Sequence, residues 1–409
     1  MTTNTNYDIA IIGGGMVGAS LALLLAQQKP DWKIALLEAQ SFADVDDYQP
    51  NFDARSTAIA HGSVEILREL GVWETLAQHA TAISQVHVSD AGHFMGGLID
   101  AATYDLAAVG YVIENAWIGR ALVEQFKANK NIAYLSAVRV EKLIPLQLGA
   151  ELTVKSGEDI FVLQCKLAVI ADGGSSPLRK MLGIESKVKN YQQTALIANV
   201  AYSESHQGVA YERFTEQGPL ALLPLGEFGN ARESALVLTL PSDKVDDIVA
   251  LDDQGFLQHL QQRFGHRLGK FLRVSKRFAY PLQLITAEEQ IRSHIVLVGN
   301  AAHFLHPVAG QGFNLSLRDC ACLASALIAG EAAGKKLGEL SVLQDYLDRQ
   351  QLDQALTIEF SDKLVRLFSS SALPLIALRH LGFVGLDAMP LIKTQFAAQT
   401  MGTAGAKFL

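Results

Sequence analysis

The chain has 409 residues, room for two or three domains around a large core. Its 34 Lys and Arg against 42 Asp and Glu leave a net charge of −8, which argues against nucleic acid as the main partner. At 49% hydrophobic residues and without low-complexity stretches, it is not a disordered protein. Three cysteines cannot build a disulfide framework and fit a reducing cytosol. Met1–Tyr7 carries no basic residue, so it is no secretory signal. Met16–Ala26 is the longest apolar run near it, and no run reaches the ~18 residues of a spanning helix. A soluble or peripheral protein is expected.

Tyr7–Ile12 reads as a buried strand, Ala19–Gln28 as a helix and Lys33–Glu38 as a second parallel strand. Between the first two lies Gly13-Gly-Gly15-Met-Val-Gly18, a G-x-G-x-x-G. Glu38 ends the second strand twenty residues after Gly18. Glycines permit the tight turn and close approach of a pyrophosphate, and Glu38 suits the ribose hydroxyls of an adenosine. A glycine motif between strand and helix, with an acid at this spacing, points to a dinucleotide without separating FAD from NAD.

Arg55 follows an acidic loop and precedes a predicted helix, His61–Leu70. Ser84–Ser89 alternates as a strand, and Trp117–Phe126, which holds Arg120, is an amphipathic helix. Ile132–Leu135, Arg139–Ile144, Glu151–Lys155 and Phe161–Leu163 are predicted as a small antiparallel layer. Lys166–Ala171 is then a separate buried strand, ending in Asp172-Gly173-Gly-Ser-Ser176-Pro-Leu-Arg179. From 190 to 285 alternating strands dominate: Thr194–Ala201, Gly208–Phe214, Leu220–Pro224, Ser234–Leu240 and Val274–Leu282, with one helix, Gln254–Phe264. They are expected to form an antiparallel sheet with an apolar inner face.

The densest stretch is 295–319. An apolar run, Ile295–Val298, turns at Gly299-Asn300; Pro307 and Gly310-Gln311-Gly312 then keep the chain extended before a helix, Asn314–Gly330. A helix N-terminus bared by glycines favours an anion. His303 and His306 are three residues apart, but no acid or third ligand accompanies them, so no metal is expected. Cys320 and Cys322 are expected to pack in the core. A further helix spans Ser341–Phe368, and 375–401 reads as helical and apolar. From Lys363 onward five basic residues face one acid, Asp387. Such a tail suits a membrane surface or lipid substrate, or equally a core helix with a solvated basic face.

Gly299-Asn300-Ala-Ala-His303-x-x-x-Pro307-x-x-Gly310-x-Gly312-x-Asn314 resembles the second flavin motif of the aromatic-ring hydroxylases, with Asn300 replacing the usual Asp. The Asp172-Gly173…Arg179 segment resembles their third fingerprint. With the single Rossmann unit, the likeness to this FAD-dependent monooxygenase family covers residues 7 to about 330. It implies an α/β FAD-binding Rossmann-like domain with an inserted antiparallel-sheet substrate domain and a C-terminal helical segment. The boundaries it suggests are 1–75, 101–185 and 286–340 for the FAD domain, 76–100 and 186–285 for the substrate domain, and 341–409 for the tail.

The resemblance implies FAD contacts from Gly13, Gly15, Gly18, Glu38, Arg55, Arg120, Asp172, Gly173, Gly299, Asn300, Gly310, Gly312 and Asn314. Pro307, Gly310, Gln311 and Gly312 would stand beside flavin C4a, where chemistry occurs. NAD(P)H would reduce FAD, and O₂, through a C4a-hydroperoxyflavin, would hydroxylate an electron-rich phenol. No residue stands out as a base; His303 is the family's motif histidine, expected to be structural rather than catalytic.

Phe52–Ala60, Gln85–His93 and the Asn form at 300 are similar, more narrowly, to ubiquinone-biosynthesis hydroxylases acting on 2-polyprenyl-6-methoxyphenol. That implies a cytoplasmic protein, soluble or peripheral on the inner face of the membrane, with other quinone-biosynthesis enzymes as partners. Two other functions stay open: an FAD-dependent isoprenoid reductase, and a non-catalytic FAD-carrying scaffold of a quinone-biosynthesis complex.

Overall fold

The structure is a computed structural model that describes residues 5–41, 55–90, 96–215, 217–226, 232–305, 310–369, 398, 401 and 402. His306, Pro307 and most of the apolar tail beyond residue 369 lie outside the described residues.

The first sheet grows from β-rich, doubly buried runs. Ile295–Leu297, Asp159–Ile170, Thr5–Ile12, Ile34–Leu37 and Ile132–Leu135 lie side by side in that order, all parallel. Apolar residues at successive positions fit strands covered on both faces. One face carries the helices Met16–Gln28, His61–Glu69, Asn115–Ala128 and Gln311–Ala332, around a core that includes Leu21, Leu23, Leu24 and Leu25. Each such leucine contributes about 1.5–3 kcal/mol by leaving water.

The predicted small antiparallel layer is redrawn. Ile132–Leu135 does not belong to it; it pairs parallel with Ile34–Leu37 at the edge of the main sheet. Phe161–Leu163 and Lys166–Ala171 are not two strands but one, Asp159–Ile170. Its first half pairs antiparallel with Gly149–Ser156 and its second half parallel with Thr5–Ile12. Burial follows the change, from half-exposed alternation to a continuous buried run. A window that sees only periodicity cuts this strand where its environment changes.

The second sheet runs His303–Phe304, Phe278–Ala287, Ser186–Tyr202, Glu233–Pro241, Gly218–Leu225, Val209–Thr215, Gln85–Asp90, Gly96–Asp100, with Phe271–Val274 beside Ser186–Tyr202. The predicted Val274–Leu282 strand is thus split in two. The sheet is not wholly antiparallel, because Val209–Thr215 runs parallel to Gln85–Asp90. Its outer face packs Leu196, Leu220, Leu222, Leu236 and Leu238 on the helix Asp253–Phe264. That helix is capped by Asp252, whose Oδ1 accepts from Gly255 N at 2.7 Å. A third sheet, Ser56–Ala60, Gly110–Glu114 and Thr81–Ile83, lies between these layers and supplies the strand that separates Arg55 from its helix.

The helix Leu340–Ser369 packs along Gln311–Ala332. Arg318 bonds Asp353 across this seam at 2.7 and 3.2 Å and also reaches Thr357 Oγ1 at 3.2 Å. Both charged side chains are almost fully buried, 4% and 7% exposed. Removing one member strands the other in a dry site. Asp353→Ala is therefore expected to cost about 3–5 kcal/mol in denaturant unfolding, and Arg318→Met combined with Asp353→Leu to recover most of that loss.

Candidate cofactor and active site

Parallel strands place their carboxyl ends together, and the crevice opens where the strand order reverses. Here that point is the end of Thr5–Ile12, with Asp159–Ile170 on one side and Ile34–Leu37 on the other. The segments Gly13–Gly18, Glu38, Asp172–Gly173 and Gly299–Asn300 all leave neighbouring strand ends of this one edge.

The glycines do different work. Gly13 turns at φ +111°, and a Cβ there would meet Ala171 O at 2.3 Å. A Cβ at Gly18 would meet Gly13 O at 1.9 Å, so helix and turn touch through bare backbone. Around Gly15, Gly173 and Gly312 the space a Cβ would fill is open. The helices Met16–Gln28 and Gln311–Ala332 begin at Gly15 and Gly310, without a side-chain cap or an acid in the first turn. Two uncapped helix N-termini present N–H groups and positive dipole ends.

The polar side chains split into those held by the protein and those left open. Glu38 accepts Gly14 N and Gln40 N, each at 2.8 Å, so it also fixes the glycine turn. Asp172 accepts Leu178 N at 3.4 Å through one oxygen, while the other is buried with no partner. Burial raises its pKa, and Ser176, the Leu178 N–H and Arg179 pull it down. Asn300 is exposed in the turn Gly299–Ala301. Asn314 is buried and occupied: its amide donates to Ala58 O and Gly310 O at 2.9 and 2.7 Å and accepts Ala60 N at 2.8 Å. It clamps the helix start to the strand Ser56–Ala60. Arg55 donates to Tyr280 Oη at 3.0 Å, and Arg120 bonds Glu124 one turn along its own helix at 3.1 Å. Gln311 is fully buried.

Arg179 and His303, motif positions in the sequence, hold this edge together with Asp319, which no sequence signal singles out. Arg179 is buried and donates to Ala301 O at 2.6 Å and Gly174 O at 3.0 Å, joining the two loops that leave adjacent strands. His303 Nε2 and Asp319 Oδ2 lie 2.5 Å apart, both side chains fully buried. Asp319 also accepts Gln354 Nε2 at 2.9 Å, tying the loop to the helix Leu340–Ser369. A separation of sixteen residues between His303 and Asp319 carries no periodic signal. No group of metal-ligating side chains occurs among the described residues. Cys320 and Cys322 are buried, their thiol pKa values raised mainly by burial.

FAD fits this edge: one uncapped helix N-terminus for its pyrophosphate, a second for negative charge on its ring, an orphaned Asp172 oxygen, and glycine-lined open space. The fold and edge define a flavin-dependent aromatic hydroxylase. Residues 6–339 match the FAD binding domain family, and the chain belongs to it. It is 34% identical over 402 residues to the ubiquinone hydroxylase UbiL of Rhodospirillum rubrum, covering 97% of this chain and 90% of that protein. It is 30% identical over 407 residues to the 3-demethoxyubiquinol 3-hydroxylase of Escherichia coli, covering 98% and 100%. Identity to the human ubiquinone biosynthesis monooxygenase COQ6 is 30% over 443 residues, with 97% and 93% covered. The p-nitrophenol 4-monooxygenase PnpA of Pseudomonas putida shares the fold at TM-score 0.76 and 18% identity, with 99% and 100% covered. PqsL of Pseudomonas aeruginosa does so at 0.74 and 19%, with 90% and 97% covered.

Gly18→Ala forces its methyl into Gly13 O. The variant is expected to purify without flavin absorbance and not to regain it with added FAD, whereas Gly15→Ala, which meets open space, should keep its fold by circular dichroism.

Proposed function

We propose that this protein hydroxylates a polyprenylated phenol, of the 2-polyprenyl-6-methoxyphenol type, in ubiquinone biosynthesis, consuming NAD(P)H and O₂. The observation that carries the reading is the single edge where strand ends, glycine turns and two uncapped helix N-termini converge beneath the second sheet. The names of the relatives, which are ubiquinone-pathway hydroxylases, support the pathway.

Bound FAD supplies the redox chemistry, passing electrons from NAD(P)H to O₂ so that one oxygen atom becomes electrophilic. Gly13, Gly15 and Gly18 would admit its pyrophosphate to the first helix N-terminus, with Glu38 at the adenosine ribose. Asp172, Gly173, Gly299 and Asn300 would hold its ribityl region, and Arg55 and Arg120 would serve its phosphates. Gly310, Gln311 and Gly312, with Asn314 as their clamp, would face its ring, where the second helix dipole stabilises negative charge. Pro307 completes this loop in the proposal.

The substrate's long apolar tail needs a greasy route. No helix of the described residues is long and apolar enough to cross a membrane. The net +4 charge of the segment from Lys363 onward supports a protein that works at the inner face of the cytoplasmic membrane beside other quinone-biosynthesis enzymes.

The test is turnover by the FAD-loaded protein with a short-chain prenylated methoxyphenol, NADH or NADPH, and isotopically heavy O₂. A product one oxygen heavier, carrying the label from O₂, is expected. NAD(P)H oxidation with reduced isoprenoid and no oxygen inserted would establish a reductase instead. Flavin bound but inert toward NAD(P)H would point to a scaffold.

A further inference from the structure

The second sheet turns one face to the helix Asp253–Phe264 and the other toward the flavin edge. Tyr211 and Arg213 belong to the outer face, since Tyr211 packs in the leucine cluster and Arg213 Nε donates to Arg263 O at 3.0 Å. Strand alternation then puts Ala210, Glu212 and Phe214 on the inner face.

Register extends the inner face across five strands. Phe278 pairs with Ile197, Ile197 with Val237, Val237 with Ala221, and Ala221 with Glu212. All five are half-buried, whereas most of their strand neighbours are fully buried. Two residues farther along the face, Ala210, Leu223 and Ala235 pack against the third sheet. In the other direction, Tyr280 takes the hydrogen bond of Arg55. The row therefore lies on the sheet face that also meets Arg55, and its side chains keep part of their surface uncovered by the protein. This face was expected to be apolar, and Glu212 is the charged member of the row.

Glu212 is half-buried on this inner face, with part of its surface left uncovered by the protein. Among the described residues no hydrogen-bond donor or cation reaches its carboxylate. Asp90 shares this face from the neighbouring strand. On the helix Leu340–Ser369, which also packs against this strand, Asp362 is held by Lys189 and Tyr191 and Lys363 by Glu359. None of these charges moves Glu212; burial alone pushes its pKa up to about 7. A carboxyl that titrates near neutrality, with nothing to bond, is unusual in a folded interior.

We propose that Glu212 is the base that takes the proton from the substrate's phenol hydroxyl as the ring is hydroxylated. The proposal rests on the hydroxylase reading above. The phenol O–H bond breaks, its electron pair stays on oxygen and raises electron density at the ring carbon to be hydroxylated, and the proton passes to a Glu212 oxygen. O₂ and NAD(P)H remain the oxidant and reductant, and Glu212 returns the proton to water when product leaves. The carboxylate is unprotonated only above its own pKa, so hydroxylation should rise with pH through about 7 and level off.

The experiment compares wild type, Glu212→Gln and Glu212→Ala as FAD-loaded proteins, following hydroxylated product from a short-chain prenylated methoxyphenol between pH 5.5 and 8.5. Glu212→Gln should lose about 10²-fold in product rate and the pH limb with it, while NAD(P)H oxidation continues with release of hydrogen peroxide. Added formate should restore part of the rate to Glu212→Ala, which a purely structural side chain would not allow. As a second readout, Glu212→Gln should gain thermal stability over wild type as pH rises from about 4.5 to 7, since the folded state holds the Glu212 proton more tightly than the unfolded chain. Wild-type product together with an unchanged rate and pH profile in Glu212→Gln, or Glu212→Ala that is slow and deaf to formate, would overturn the assignment. A wild type that inserts no oxygen would instead overturn the hydroxylase reading on which it rests.

Discussion

The site depends on one short crossing. The chain leaves the first sheet at Leu297, turns at Gly299, and enters the second sheet at His303, where it pairs with Thr286. Only five residues, 298–302, thus link the two layers. A strand end in one sheet and a strand start in the other leave the turn between them little freedom, and Gly299 meets the demand with φ +61° and Val17 pressed to 2.9 Å of an absent Cβ. Arg179 holds Ala301 from one side, and Asp319 holds His303 from the other. Buried charge-assisted bonds of this kind fix geometry more than they add stability. They set the angle at which the sheet roof stands over the dinucleotide edge.

This arrangement divides the labour of the motif residues. Gly13 and Gly18 serve chain packing, since a methyl at either would strike backbone. At Gly15, Gly173 and Gly312 a methyl would meet nothing of the protein, so chain packing does not demand glycine there. Asn314 and Glu38 spend their hydrogen bonds holding backbone, and Asn300 and one oxygen of Asp172 do not. A motif written as letters hides this difference between residues that hold the backbone and residues that the backbone does not need.

How far the sequence could be read follows from the range of the forces. The βαβ unit, the helix after Gly310 and the strands of the second sheet were legible because periodicity and glycine turns act over a few residues. Asp159–Ile170 was misread because its environment changes midway while its chemistry does not. The inner-face position of Glu212 depends on the register of Val209–Thr215 against two neighbours, one of them more than a hundred residues earlier. The same is true of His303 with Asp319 and of Arg179 with Ala301, where sequence distance is unrelated to spatial distance.

The order of strands in the first sheet bears on how the protein is made. Thr5–Ile12, made before the other strands of this sheet, lies between Ile34–Leu37 and Asp159–Ile170, and Ile295–Leu297 lies beyond the latter. Asn314 reaches back to Ala60 and Glu331 to Trp32. This edge therefore stays unfinished until the helix Gln311–Ala332 has been synthesised, with a sticky parallel sheet waiting for its later members. A chain cut short before the helix Gln311–Ala332 leaves an open apolar flank for chaperones to cover.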